Sequence, residues 1–242
     1  MDKTELSVHI NADAEQVWRM LREPGLIAQW HGWEMDTLAD EIQEIYYTDV
    51  VEGADHLRLD LAMGDVFTLA PAADGTVLTM TRGKATGEWE KYDADITEGW
   101  SVFMQQLRFA LERHPHATRR TVYADGITAA DGPQSASLWE ALGIDTGWLP
   151  DPGQEYTLRL STGHELAGKV WYRQDTQLGL TVQAYAEHGD GLLVLAEQAP
   201  LEGIRERRGA QVIASTYGLG AAAYDSIAEH WDAFMEKHFP AE

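Results

Sequence analysis

The chain contains no cysteine. That absence excludes thiol nucleophiles, thiolate metal sites and disulfides, and it suits a reducing compartment. Basic residues are scarce as well: 18 Lys and Arg stand against 40 Asp and Glu, a formal charge of −22 over 242 residues. A surface of that sign repels phosphate backbones and anionic headgroups, so nucleic acid is not an expected partner. Long apolar runs are also missing. No segment approaches the ~18–20 apolar residues needed to cross a bilayer, so no membrane insertion is expected. The N-terminal stretch Met1-Asp2-Lys3-Thr4-Glu5-Leu6 shows neither a basic nor an apolar leader region, and a cytoplasmic protein is the expectation.

Motifs that carry chemistry are absent too. There is no His-Glu-x-x-His spacing, no Gly-x-Ser-x-Gly elbow and no phosphate-cradling loop. Asp36, Asp40, Glu41 and Glu44 lack the spacing of a calcium loop and read as a solvated face. Arg205, Arg207 and Arg208 read as a solvated loop with local ion pairs, or as a site for an anionic group. No catalytic residue, metal ligand or cofactor is expected. His31, between Trp30 and Trp33, is the one histidine considered as a general base, against a structural role.

What is present is hydrophobic patterning. Leu6, Val8 and Ile10 alternate with polar residues, as in a half-buried strand. Asp13 suits the N-cap of a helix carrying Val17, Trp18, Met20 and Leu21, which Pro24-Gly25 ends. A second short helix is expected over 26–30. From Glu41 to Arg82 the pattern reads as strands: Ile42 through Val50, then Leu57 to Leu61, Val66 to Leu69, and Val77 to Met80. Asp74-Gly75 is a hairpin signal between the last two. Trp100, Met104, Leu107 and Leu111 recur at helical spacing over 95–114, and Pro115 closes that helix.

The order then recurs. Arg119 to Tyr123 suits a first strand, a loop is expected over 124–133, and a short helix over 135–142. Strands are expected over 156–160, 166–172, 178–185 and 192–196, and a last helix over 217–239. Trp18 and Trp139 lie about 121 positions apart, and Leu107 and Trp231 about 124 apart. Near-equal offsets at both ends are what a duplicated domain produces. The expected division is therefore 1–116 and 117–242, the second copy divergent.

The strand followed by Ala12-Asp13-Ala14-Glu15-Gln16-Val17-Trp18 and Pro24-Gly25-Leu26-Ile27-Ala28-Gln29-Trp30 resembles the opening of SRPBCC (START-like) domains. The similarity points to the branch named after the activator of the heat-shock-protein-90 ATPase, and the closing helix from Gly99-Trp100 to Glu112 fits that branch too. It covers about residues 4–114. It implies an α+β helix-grip fold, a curved antiparallel sheet around a long C-terminal helix, with a cavity between them. In the superfamily such cavities hold lipids, hormones or polyketides, and some are cyclase or hydrolase sites.

Aromatic residues are the strongest remaining signal, with nine Trp in the chain. On the helix-grip layout, Trp30, Trp33, Tyr47, Trp89, Tyr92, Trp100 and Met104 are candidates for lining a ligand cavity in the first copy. Trp171, Tyr185, Tyr224 and Trp231 are their counterparts in the second. The alternative is that these rings fill the core. Three readings of function follow: a binder of a small apolar or amphipathic molecule, an interaction module with a protein partner and closed cavities, and a cyclase- or hydrolase-type enzyme. The first predicts an open cavity under a long helix. The second predicts a contiguous apolar surface. The third predicts polar groups, such as His31 with an acid, converging in the cavity. Oligomeric state is not legible.

Overall fold

The computed structural model describes residues 4–129 and 136–241. The chain forms two compact units, Met1–His116 and Ala117–Glu242. Each has an antiparallel sheet followed by a long closing helix, the α+β helix-grip arrangement.

The first unit begins with strand β1 (Glu5–Ile10), which turns Val8 and Ile10 inward. Helix α1 (Ala14–Arg22) starts at a capping box. The Asp13 carboxylate accepts from the Gln16 amide at 2.8 Å, and the Gln16 side chain accepts from the Asp13 amide at 3.2 Å. Val17, Trp18, Met20 and Leu21 are its buried side chains. Helix α2 (Pro24–Ile27) follows, with Pro24 in its first turn, where a missing N–H costs nothing.

Residues 38–47 correct the sequence reading. They form helix α3 (Leu38–Tyr47) and not a strand. Ile42, Ile45 and Tyr46 stand three and four apart, a helical period, and Asp40 and Glu41 favour the positive end of the helix dipole. Their β-branched and aromatic character masked that period. The strands come afterwards: β2 (Val51–Glu52), β3 (Arg58–Asp60), β4 (Val66–Ala72) and β5 (Gly75–Thr81). They pair in the order β1-β5-β4-β3-β2. The β4–β5 hairpin turns at Ala73-Asp74, and Gly75 enters β5 at φ 149°, where a side chain would strike the Ile10 carbonyl. A 3-10 turn (Gly87–Tyr92) leads into helix α4 (Asp93–Arg113), which lays Trp100, Met104, Leu107 and Ala110 against the sheet and α1.

In the second unit β6 (Arg119–Ile127) is longer than expected and takes in residues 124–127, which the sequence assigned to a loop. Thr128 and Ala129 follow the strand, and residues 130–133 of that loop, with Ser135, lie outside the described residues. Helix α5 (Leu138–Leu142) carries its own capping box, Ser137 with Glu140, and ends at Gly143 in the left-handed region. Strands β7 (Glu155–Arg159), β8 (Glu165–Arg173), β9 (Gln177–Val182), β10 (Gly191–Gln198) and β11 (Gly209–Tyr217) follow, then helix α6 (Ala221–His238). The sheet order is β6-β11-β10-β9-β8-β7. Strand β11 is a second correction. Tyr217 ends this strand and does not start the last helix. Eight of the nine β11 residues are buried, so it lacks the alternation that marks a half-exposed strand.

Candidate functional site

The first unit holds a cavity of about 530 Å³ beside the N-terminal half of α4. Ile96, Gly99, Trp100 and Phe103 of α4 form one wall, Ile45 of α3 another. The turn from β3 to β4 contributes Leu61 and Met63, and the segment after β5 contributes Ala85 and Trp89. These side chains make most of the lining hydrocarbon, the usual composition of a site for a small organic molecule. Met63 and Trp89 are 61% and 57% exposed, so two large apolar side chains stand partly in solvent while lining this cavity.

Two polar groupings interrupt the apolar wall. The first is built on His31, which follows α2 and is only 1% exposed. Its Nε2 lies 3.1 Å from a Glu41 carboxylate oxygen and its Nδ1 lies 3.0 Å from the Tyr46 hydroxyl. Burial, with the Glu41 and Asp65 carboxylates adding to it, holds the Tyr46 phenol well above its ordinary range. The phenol therefore keeps its proton, and since a carboxylate only accepts, Nε2–H donates to Glu41. Both ring nitrogens are engaged in this way. The ring itself packs on Phe103 at 4.6 Å and Trp100 at 5.8 Å.

The second grouping is Arg82, just past β5 and 6% exposed. Its Nε donates to Asp65 at 3.1 Å, and its Nη2 to Asp93 at 3.4 Å. The same Asp65 oxygen accepts from the Gly83 amide at 2.6 Å. The third guanidinium nitrogen, Nη1, is buried without a hydrogen-bond partner. Gly83 is required by close approach: a side chain there would meet the Met63 carbonyl at 2.5 Å and the Gly64 backbone at 2.7 Å.

The candidate residues distribute unevenly. Trp89 and Trp100 line the cavity. Tyr92 packs against Trp89, with ring centroids 6.1 Å apart, and Trp33 against Phe103 at 6.4 Å. Trp30 lies behind the cavity, fully buried, its indole N–H donating to the Met20 carbonyl at 2.8 Å and its ring edge-on to His31. Met104 is in the core. Tyr47 is engaged elsewhere, its hydroxyl donating to the Arg22 carbonyl under the Arg22 guanidinium. Of the charged groups that line the cavity, Asp65 and Arg82 were not foreseen, and Glu41 and Glu44 were read as part of a solvated face. A signal for Arg82 existed: Thr76, Leu78, Met80 and Arg82 alternate in phase, which sets a charged residue on the inward face.

In the second unit α6 packs Trp231, Phe234 and Met235 into the core over the sheet. Trp231 is fully buried and donates to the Tyr185 hydroxyl at 2.8 Å, with Phe234 and Met235 packed in the same core. Tyr224 donates to the Thr121 carbonyl at 2.7 Å beneath the Arg120 guanidinium. Trp171 sits at a register shift between β8 and β9, between Val170 and Tyr172. A larger, more open concavity of about 640 Å³ runs over β7 and β8, where Glu155, Lys169, Gln183 and Asp190 alternate with Trp148, Pro150 and Tyr156. The arginine loop is internally bonded: Arg205 to the Ala199 carbonyl, Arg207 to the Thr128 carbonyl, and Arg208 to Glu197.

No family model matches the chain, and no curated protein matches it. Solved structures do. One is DynU16, a protein of the dynemicin biosynthetic locus, at 15% identity over 97% of this chain and 95% of that one, with a TM-score of 0.33. Another is BexL, a di-domain ARO/CYC from the BE-7585A biosynthetic pathway, at 11% identity over the full length of both chains and a TM-score of 0.36. A protein of Nitrosomonas europaea matches 47% of this chain with 96% of its own, at 19% identity and a TM-score of 0.35. Likeness at this level concerns fold alone, and the reading of the site rests on its own geometry. Among the described residues no helix is long and apolar enough to cross a membrane, and no cluster of three or more His, Asp or Glu could hold a metal ion.

Proposed function

We propose that the chain binds a small, largely apolar organic molecule in the cavity of its first unit, and that the second unit is a filled copy of the same domain. The observation that carries this reading is the enclosed hydrocarbon wall of Ile45, Leu61, Ala85, Ile96, Trp100 and Phe103, which faces empty space instead of packing shut. Leaving that much apolar surface unpacked forfeits burial free energy of ~25 cal/mol per Å², and a ligand restores it. The duplication is supported by the shared order of strand, capped short helix, sheet and long closing helix in both units. The similarity to the heat-shock-protein-90-activator branch belongs to the first unit alone, through its sequence.

The test exploits Gly99. A Cβ at this cavity-lining helical position would meet nothing within 4 Å. Gly99→Leu therefore projects a side chain into the cavity while improving helix propensity. Native mass spectrometry of the wild-type chain, with extraction of bound material, should show one organic ligand per chain, and the variant should lose it without loss of thermal stability. A ligand-free wild type that no apolar compound stabilises sinks the reading.

A second reading, acid–base chemistry, is favoured by the His31–Glu41 pair on the cavity wall. It expects the bound compound to be recovered chemically altered, and Glu41→Gln to stop that alteration. Engagement of both His31 nitrogens places it second.

A further inference from the structure

We propose that the groove over β7 and β8 in the second unit is a further binding site, and that it takes a neutral saccharide or glycoside. Its layout follows from strand register. Glu155 stands opposite Lys169 and Thr157 opposite Ala167, and residues two apart on a strand share a face. These four side chains therefore project from one side of the two-stranded ribbon, while Tyr156, Leu158 and Leu166 turn to the core. Thr157 and Ala167 are short, so they form a shallow floor between longer side chains. Glu155, Thr157, Lys169 and Gln183 are exposed. Among the described residues none of these four side chains has a hydrogen bond or ion pair within the protein. Their donors and acceptors are open to a ligand lying in the groove.

Trp148 supplies the apolar part of the site. It is 66% exposed, yet the loop that carries it is tied down. The Trp148 amide donates to the Asp145 carbonyl at 3.1 Å, and the Asp145 carboxylate accepts from the Gly147 amide at 2.9 Å. Arg173 of β8 donates to the Thr146 and Leu149 carbonyls, each at 3.2 Å. The Leu149 side chain is buried in the core beside it. An indole displayed to water on a fixed backbone is a contact surface that loses little entropy on binding.

The chemistry of the lining selects the ligand. The groove is open, so water reaches it and a purely apolar molecule gains little by entering. Glu155 only accepts and the Lys169 ammonium only donates. They face each other across the strands, so their charges offset, and Asp190 at the rim disfavours an anion. A hydroxyl both donates and accepts, and two neighbouring hydroxyls answer a carboxylate and an ammonium side by side. Thr157 and Gln183 suit the same hydroxyl-rich edge. A pyranose ring offers that edge together with a C–H face that lies flat on the Trp148 indole. The site is built from the second unit alone and stands apart from the first-unit cavity.

The test uses the full chain with cellobiose, lactose and maltose, and with tyramine as an aromatic cation that could also stack on Trp148. Saturation-transfer NMR and calorimetry read binding. At least one disaccharide is expected to bind, with transfer concentrated on the C–H protons of one pyranose face. Trp148→Ala should weaken it about tenfold, the scale of a lost aromatic contact, and Lys169→Met several-fold. Both side chains are exposed, so neither variant should shift the melting temperature appreciably. No transfer to any of the three sugars at high millimolar concentration overturns the saccharide inference. Sugar binding untouched by Trp148→Ala overturns its placement in this groove, and tighter binding of tyramine than of every sugar overturns the choice of a neutral ligand. None of these outcomes bears on the first-unit cavity, which is tested separately with Gly99→Leu.

Discussion

Arg82, one residue past β5, continues that strand's inward phase at a place where a hydrocarbon would be the ordinary occupant, and it is held there by Asp65. Removing one member of a buried ion pair strands the other, at a cost of about 3–5 kcal/mol, whereas replacing both by apolar residues is often neutral. Arg82→Leu should therefore lower the urea midpoint strongly, and Arg82→Leu with Asp65→Leu should recover most of the loss. A double variant no more stable than the single one would show that the pair is not the unit that matters. His230 gives a second residue-scale expectation. Burial, with His164 packed on it at 3.5 Å between ring centroids, lowers its pKa from 6.5 to about 4. The unfolded chain takes up this proton near 6.5 and the folded chain only near 4, so the contribution is intact above pH 6.5 and is lost as pH falls toward 4. Replacing His230 with Leu should flatten the decline of the melting temperature across that window. An unchanged decline would assign the acid sensitivity to other groups.

At the scale of the element, helix starts are the features most directly written in the chain. Asp13 caps α1 with Gln16 answering it, and Ser137 caps α5 with Glu140. Asp13→Ala should cost about 1 kcal/mol, read from chemical denaturation, because the Gln16 amide loses its acceptor. A loss below a few tenths would mean that packing of Val17, Trp18 and Leu21 alone sets the start of the helix. Helix α3 shows the opposite case. Its Ile and Tyr residues have strand-like propensity, yet Ile42 and Tyr46 bury together at a spacing of four, and tertiary burial decided the outcome. The same helix brings Glu41 and Tyr46 to His31, so misreading the element also hid this polar end of the cavity.

At the scale of the whole chain, charge and repetition dominate. A net charge of −22 destabilises any compact state through self-repulsion, which salt screens over about 8 Å at physiological strength. The melting temperature should rise from low salt to about 0.15 M sodium chloride, and a fall would place the acidic groups mainly in stabilising pairs. Both units close with a long helix after an antiparallel sheet, and their aromatic side chains are used differently. In the first, Trp100 and Phe103 border empty space. In the second, Trp231 donates to the Tyr185 hydroxyl and packs with Phe234 in the core.

Periodicity and capping chemistry were enough to read the α+β class, the α1 cap and the faces of both long helices, because those depend on residues close in sequence, whereas the helix-grip expectation came from the resemblance of the first half to a known family. Strand β11 was not readable, since burial along nearly its whole length erases the alternation that reveals a strand. The cavity was not readable either. Whether an aromatic side chain fills a core or borders a void depends on neighbours far away in the chain, as with Trp30, packed on Met20, and Trp100, open to the cavity. Only the tertiary structure set Asp65, Asp93 and Arg82 around one guanidinium and left Nη1 facing no partner, because that geometry joins the β3–β4 turn, the end of β5 and the start of α4.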